Sequence, residues 1–106
     1  MQRYPIRASQ RKALTPDALR TVVAAHFEGV SADGAAAVGA FGAVTRLRTW
    51  VDGRELAVDV TMNPKVPEAV AAETIRRYNQ FLEAATGFSA KERAKRLRKS
   101  ATGSGD

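Results

Sequence analysis

Arg46, Arg48 and Trp50 alternate along one stretch of the chain, and Lys91, Arg93, Lys95, Arg96, Arg98 and Lys99 crowd another. Arginines beside an aromatic ring at strand spacing could stack bases and hold phosphates. A run of cations at helical spacing could track a phosphate backbone by charge alone. The distribution of charge supports a polyanion as partner. Residues 1–12 carry Arg3, Arg7, Arg11 and Lys12 and no acid, residues 13–88 are slightly acidic, and residues 89–106 are basic again. The net charge of +6 therefore sits at the two ends. Such a chain folds around a balanced middle and offers its ends to something anionic, or uses them only for solubility.

Catalytic chemistry finds little support. There is no cysteine, hence no disulfide, no thiolate nucleophile and no Cys-ligated metal. One histidine, His26, cannot build the usual zinc sites. It falls at the end of an expected helix, where it suits the negative dipole end. No glycine-framed serine elbow occurs, the carboxylates are scattered, and Gly34, Gly39 and Gly42 fit neither a dinucleotide fingerprint nor a P-loop. No catalytic residue, cofactor or metal is expected, and the protein is read as not an enzyme. No stretch of roughly 20 apolar residues occurs, and Leu97 alone gives the basic helix too little apolar surface for a membrane. A cytoplasmic protein is expected.

The elements that must position these residues follow from the pattern. Arg3–Arg7 reads as an edge strand limited by Pro5. Thr15-Pro16-Asp17 starts a helix that runs to about Glu28 and stops at Gly29, with Leu19, Val22, Val23 and Phe27 facing inward. Ala35–Phe41 reads as a strand. Ala43–Val51 and Arg54–Met62 flank Asp52-Gly53, a strong hairpin signal. A turn centred there pairs Leu47 with Val58, Thr49 with Leu56, Arg46 with Asp59 and Trp50 with Glu55. Ala43, Thr45, Leu47, Thr49, Leu56, Val58, Val60 and Met62 then share an apolar face. Arg46, Arg48, Trp50 and Asp59 share the other.

A second long helix runs from Pro67 to about Ala85, with Ala71, Ile75, Tyr78, Leu82 and Ala85 as its stripe. Gly87 closes it in the left-handed conformation. Ser89-Ala90-Lys91-Glu92 is a capping box that opens a basic helix over 89–101. Residues 102–106 are small and polar and are expected to be disordered. The reading is one α+β domain over 1–101 in the order β-α-β-β-β-α-α. It is a two-layer sandwich whose antiparallel sheet is covered on one face by two helices.

The hairpin from Leu47 to Leu56 resembles a small uncharacterised archaeal protein family. So does the stretch Tyr78-Asn79-x-Phe81-Leu82 followed by Thr86-Gly87-Phe88-Ser89-Ala90-Lys91-Glu92-Arg93. The resemblance implies a two-layer α/β sandwich of archaeal, cytoplasmic origin. It implies no established activity and supplies no catalytic residue.

Two functions stand. One is a non-catalytic RNA- or DNA-binding accessory module of weak sequence preference, using Lys91, Arg93, Lys95, Arg96, Arg98 and Lys99, with Arg46, Arg48 and Trp50 as platform. The other is a protein-interaction or homodimerisation module that uses the sheet face around Trp50. Exposure of Trp50 separates them.

Overall fold

The computed structural model describes residues 2–95. Strand β1 (Gln2–Pro5) leads into a single helical turn, α1 (Ala8–Arg11), and helix α2 (Pro16–His26). Four strands follow without interruption: β2 (Glu28–Asp33), β3 (Ala36–Phe41), β4 (Val44–Asp52) and β5 (Glu55–Met62). Helix α3 (Glu68–Thr86) returns across them, and residues 90–95 are helical. The sheet order is β1-β5-β4-β3-β2, antiparallel throughout. This is the expected α+β sandwich, with one strand more than the sequence suggested.

The three hairpins share one grammar. Asp33 pairs with Ala36, Phe41 with Val44 and Asp52 with Glu55. The two-residue loops are thus Gly34-Ala35, Gly42-Ala43 and Gly53-Arg54. Each glycine has positive φ, and among the described residues no other residue type does. A turn needing one left-handed residue, at its first central position, takes Gly-X. A loop of Asp52-Gly53 would instead ask Asp52 for positive φ. The register therefore moves by two from the expected one. Leu47 faces Val60, Thr49 faces Val58, Arg48 faces Asp59 and Trp50 faces Ala57. A slip of two preserves the faces, because side chains alternate with period two.

The two helices and the sheet enclose one core. Leu19, Val23, Leu47, Leu56, Val58, Phe81 and Ala85 are fully buried, and Phe27 meets Phe81 edge-on at 5.4 Å. Thr15 caps α2 by accepting the Ala18 amide, with Pro16 at its first position. Helix α2 stops at His26, earlier than expected. Phe27 is already extended, and Gly29 lies inside β2 rather than ending the helix. A register irregularity between Val44 and Arg46 leaves Thr45 exposed, turns Val44 inward and overturns the place given to Thr45 on the apolar face. Ile75, expected in the buried stripe of α3, is 55% exposed, and Met62 is 44% exposed. The sheet beneath them is narrow: β1 reaches only Val58 on β5.

The C-terminus of α3 is tied down by the N-terminal segment. Gly87 takes φ 80°, as expected, and its amide donates to the Glu83 carbonyl. The Arg7 amide donates to the Thr86 carbonyl, Arg7 Nε to that of Gly87, and Gln10 Nε2 to that of Ala84. These bonds satisfy carbonyls that a helix end leaves free, and they bring a cation to its negative pole.

Candidate nucleic-acid interface

The capping box forms as the sequence predicts. The Glu92 amide donates to Ser89 Oγ, and the Ser89 amide donates to Glu92 Oε1. Glu92 Oε2 also accepts from Arg7 at 3.1 Å, and the Arg7 guanidinium stacks over Phe88 at 4.5 Å. The bond from the Ser89 backbone, with Arg7 nearby, holds the Glu92 carboxyl below its ordinary range. The two basic ends, 85 residues apart at this pair, thereby meet at one pole of the molecule. Arg11, Lys12, Lys91 and Lys95, which flank this pair in the sequence, are all exposed and carry no ion pair among the described residues.

Arg93 does not join them. It is 4% exposed, with its guanidinium donating to the Phe88 carbonyl at 2.6 Å and to Asn79 Oδ1 at 3.1 Å. Burial lowers its pKa, against Tyr4, Glu83 and Tyr78 nearby. Its charge is spent on docking residues 88–95 against α3. Every third or fourth residue of a helix shares a face. Once Arg93 points inward, its neighbours Lys91 and Lys95 point out. Arg96, Arg98 and Lys99 lie outside the described residues, as do the end of the basic helix at 101 and the 102–106 segment.

The outer sheet face differs from an open platform. Arg46 is exposed beside Thr61. Arg48 donates to Asp33 at 2.8 Å and lies over the Trp50 ring at 4.7 Å. Trp50 is half-buried, and one face of its indole is already taken by Arg48. Arg3 pairs with Asp52 on the same side. Asp33, the residue that neutralises Arg48, stands at the end of β2. That strand shows no apolar alternation, and only its Asp33-Gly34 pair, a second Asp-Gly turn signal, betrays it in the sequence.

His26 Nδ1 lies 2.9 Å from the Val22 carbonyl, and its own carbonyl accepts from Arg77. Both contacts are structural. Burial, and then the hydrogen bond it shares with the Tyr4 hydroxyl, raise the Tyr78 hydroxyl above the ordinary phenol range. Among the described residues, no cluster of His, Asp and Glu could hold a metal ion. Nor is any helix among them long and apolar enough to cross a membrane.

A family model describing a domain of unknown function, DUF5611, matches residues 1–99. The NMR solution structure of a hypothetical protein from Thermoplasma acidophilum superposes with a TM-score of 0.67 at 24% identity. It covers 92% of this chain and 97% of that chain. At that identity the likeness is one of fold. The archaeal source of this neighbour agrees with the family resemblance read from the hairpin and the Thr86–Arg93 stretch. No curated protein matches the chain at a significant level.

Proposed function

The chain belongs to the DUF5611 family, a domain of unknown function, and from that premise we propose that it is a non-catalytic, cytoplasmic module that binds RNA or DNA. Contact is to phosphates, at the pole where the two basic ends meet. Arg11, Lys12, Lys91 and Lys95 supply the cations, and Arg96, Arg98 and Lys99 follow in the same basic run of sequence. The Arg7–Glu92 contact carries this reading, because it turns two separate patches into one. Arg46, Arg48 and Trp50 are secondary, since Arg48 is already satisfied by Asp33 and Trp50. Among the described residues the cations proposed here are exposed lysines and an arginine suited to phosphates rather than a set that reads base edges, so the expected sequence preference is weak.

The rival, a protein partner on the face around Trp50, has less support. The small outward residues flanking that ring, Ala36 and Ala57, are already buried at 5% and 0% exposure. Fluorescence anisotropy with mixed single- and double-stranded oligonucleotides at low salt separates the two. Binding that is lost in Lys12→Glu/Lys91→Glu and kept in Trp50→Ala supports the pole. No binding below about 100 μM, looser than much non-specific binding, favours a protein partner.

A further inference from the structure

The outer edge of β5 is only half covered among the described residues. Strand β1 covers β5 only from Glu55 to Val58, so among the described residues nothing pairs with the outer edge beyond it. On the inner side, the Asn63 amide donates to the Ala43 carbonyl, and the Thr61 carbonyl accepts from Thr45 Oγ1. Backbone groups of successive strand residues point to opposite sides. The amides and carbonyls of Val60 and Met62 therefore point outward, away from β4. Met62 and Ile75 stand beside this edge on the helix side. They are the exposed large hydrophobic residues of the described chain. With Ala43, Pro64, Val66 and Ala71 they line an open apolar groove of about 320 Å³.

We propose that β5 pairs with β5 of a second copy across a two-fold axis at Thr61, joining two five-stranded sheets into one. The register follows from the geometry. A two-fold axis normal to the sheet pairs residues of the same face, so Val60 of each copy lies opposite Met62 of the other and Thr61 opposite Thr61. Val60 and Met62 are the residues with outward amides and carbonyls, so each such pair exchanges two backbone hydrogen bonds. The helices of both copies lie on one side, and there Met62 meets Val60 with Ile75 flanking the seam. On the outer side each copy brings Arg46, partner of Thr61, and Asp59, two residues before it. Neither has an ion pair among the described residues. Across the axis the Arg46 of one copy reaches toward the Asp59 of the other, so the seam is complementary in charge as well as in hydrogen bonding. The second edge of the sheet is unsuited to this role. Strand β2 has a register irregularity and carries Glu28 and Asp33 at its ends, so antiparallel self-pairing would set acid against acid.

The test uses the full chain, which has no cysteine. Thr61 would occupy a non-hydrogen-bonded pair, whose Cα separation of about 4.5 Å falls within disulfide range. Thr61→Cys should cross-link under mild oxidation to twice the 11.4 kDa chain mass. Ser31→Cys on the β2 edge should not. By sedimentation, Ile75→Lys should weaken self-association by at least about tenfold with an unchanged circular dichroism spectrum. A wild-type chain that stays monomeric at about 200 μM, a concentration at which even a small specific interface would be populated, overturns the proposal. So does Thr61→Cys cross-linking no faster than Ser31→Cys.

Discussion

Arg7 and Glu92 form an ion pair at 3.1 Å that joins the N-terminal segment to the start of the basic helix. Both side chains are about half exposed, so solvent screens the pair and it contributes little to stability by itself. Its importance is positional. It brings residues 7–12 and 89–95 together and lies beside the Arg7–Phe88 stack.

Acidification should loosen this pole. Glu92 titrates below its ordinary value of 4.5 because the folded state favours its charged form. The contribution is complete above the unfolded value and fades as pH falls through the lowered one. Amide exchange at Ser89, the donor to Glu92 Oε1, should accelerate as pH drops below about 4 after correction for intrinsic rates. Unchanged protection down to pH 2 would contradict the cap geometry.

Arg93 should behave unlike its cationic neighbours. Arg93→Ala removes charged hydrogen bonds to Phe88 and Asn79 and should cost roughly 2–3 kcal/mol. Lys91→Ala and Lys95→Ala should each fall within about 0.5 kcal/mol of wild type. Urea unfolding of the three variants checks the contrast, and equal costs would mean that Arg93 is not a docking residue.

Two glycines should resist substitution for different reasons. At Gly87 the left-handed φ of 80° is the obstacle, and a Cβ would also sit 3.2 Å from Arg7 and Gln10. Gly87→Ala should cost about 1–2 kcal/mol. At Gly42 an added Cβ collides with Thr74 Oγ1, the buried hydroxyl that accepts the Ala43 amide and donates to the Val70 carbonyl. Gly42→Ala should therefore cost more than Gly87→Ala. Thr74→Val, which orphans the Ala43 amide, should cost about 1–3 kcal/mol. Thermal melts rank the three.

The fold was readable where alternation and turn chemistry agree. Leu47, Leu56 and Val58 point inward as expected, because a two-residue error of register leaves every side chain on its own face. Strand β2 was not readable, since an exposed edge strand has no buried face to impose a pattern. Losing β2 also hid Asp33, and with it the partner that closes Arg48. Ile75 misled for the opposite reason. Its helical spacing is correct, but the sheet ends short beneath it, and periodicity reports a face rather than what covers that face. Arg93 was read as one cation of a run. Only the packing of residues 88–95 on α3 separates it from Lys91 and Lys95.

The central claim concerns the basic pole, and the salt dependence of nucleic-acid binding tests it most directly. Each phosphate neutralised should add about 0.7–0.9 to the slope of log affinity against log salt. Wild type should bind with a steep slope, and Lys12→Glu/Lys91→Glu/Lys95→Glu should lower that slope by roughly two to three while Trp50→Ala leaves it nearly unchanged. Binding that is insensitive to salt, or a triple variant whose slope equals that of wild type, would contradict a function built on the meeting of the two ends.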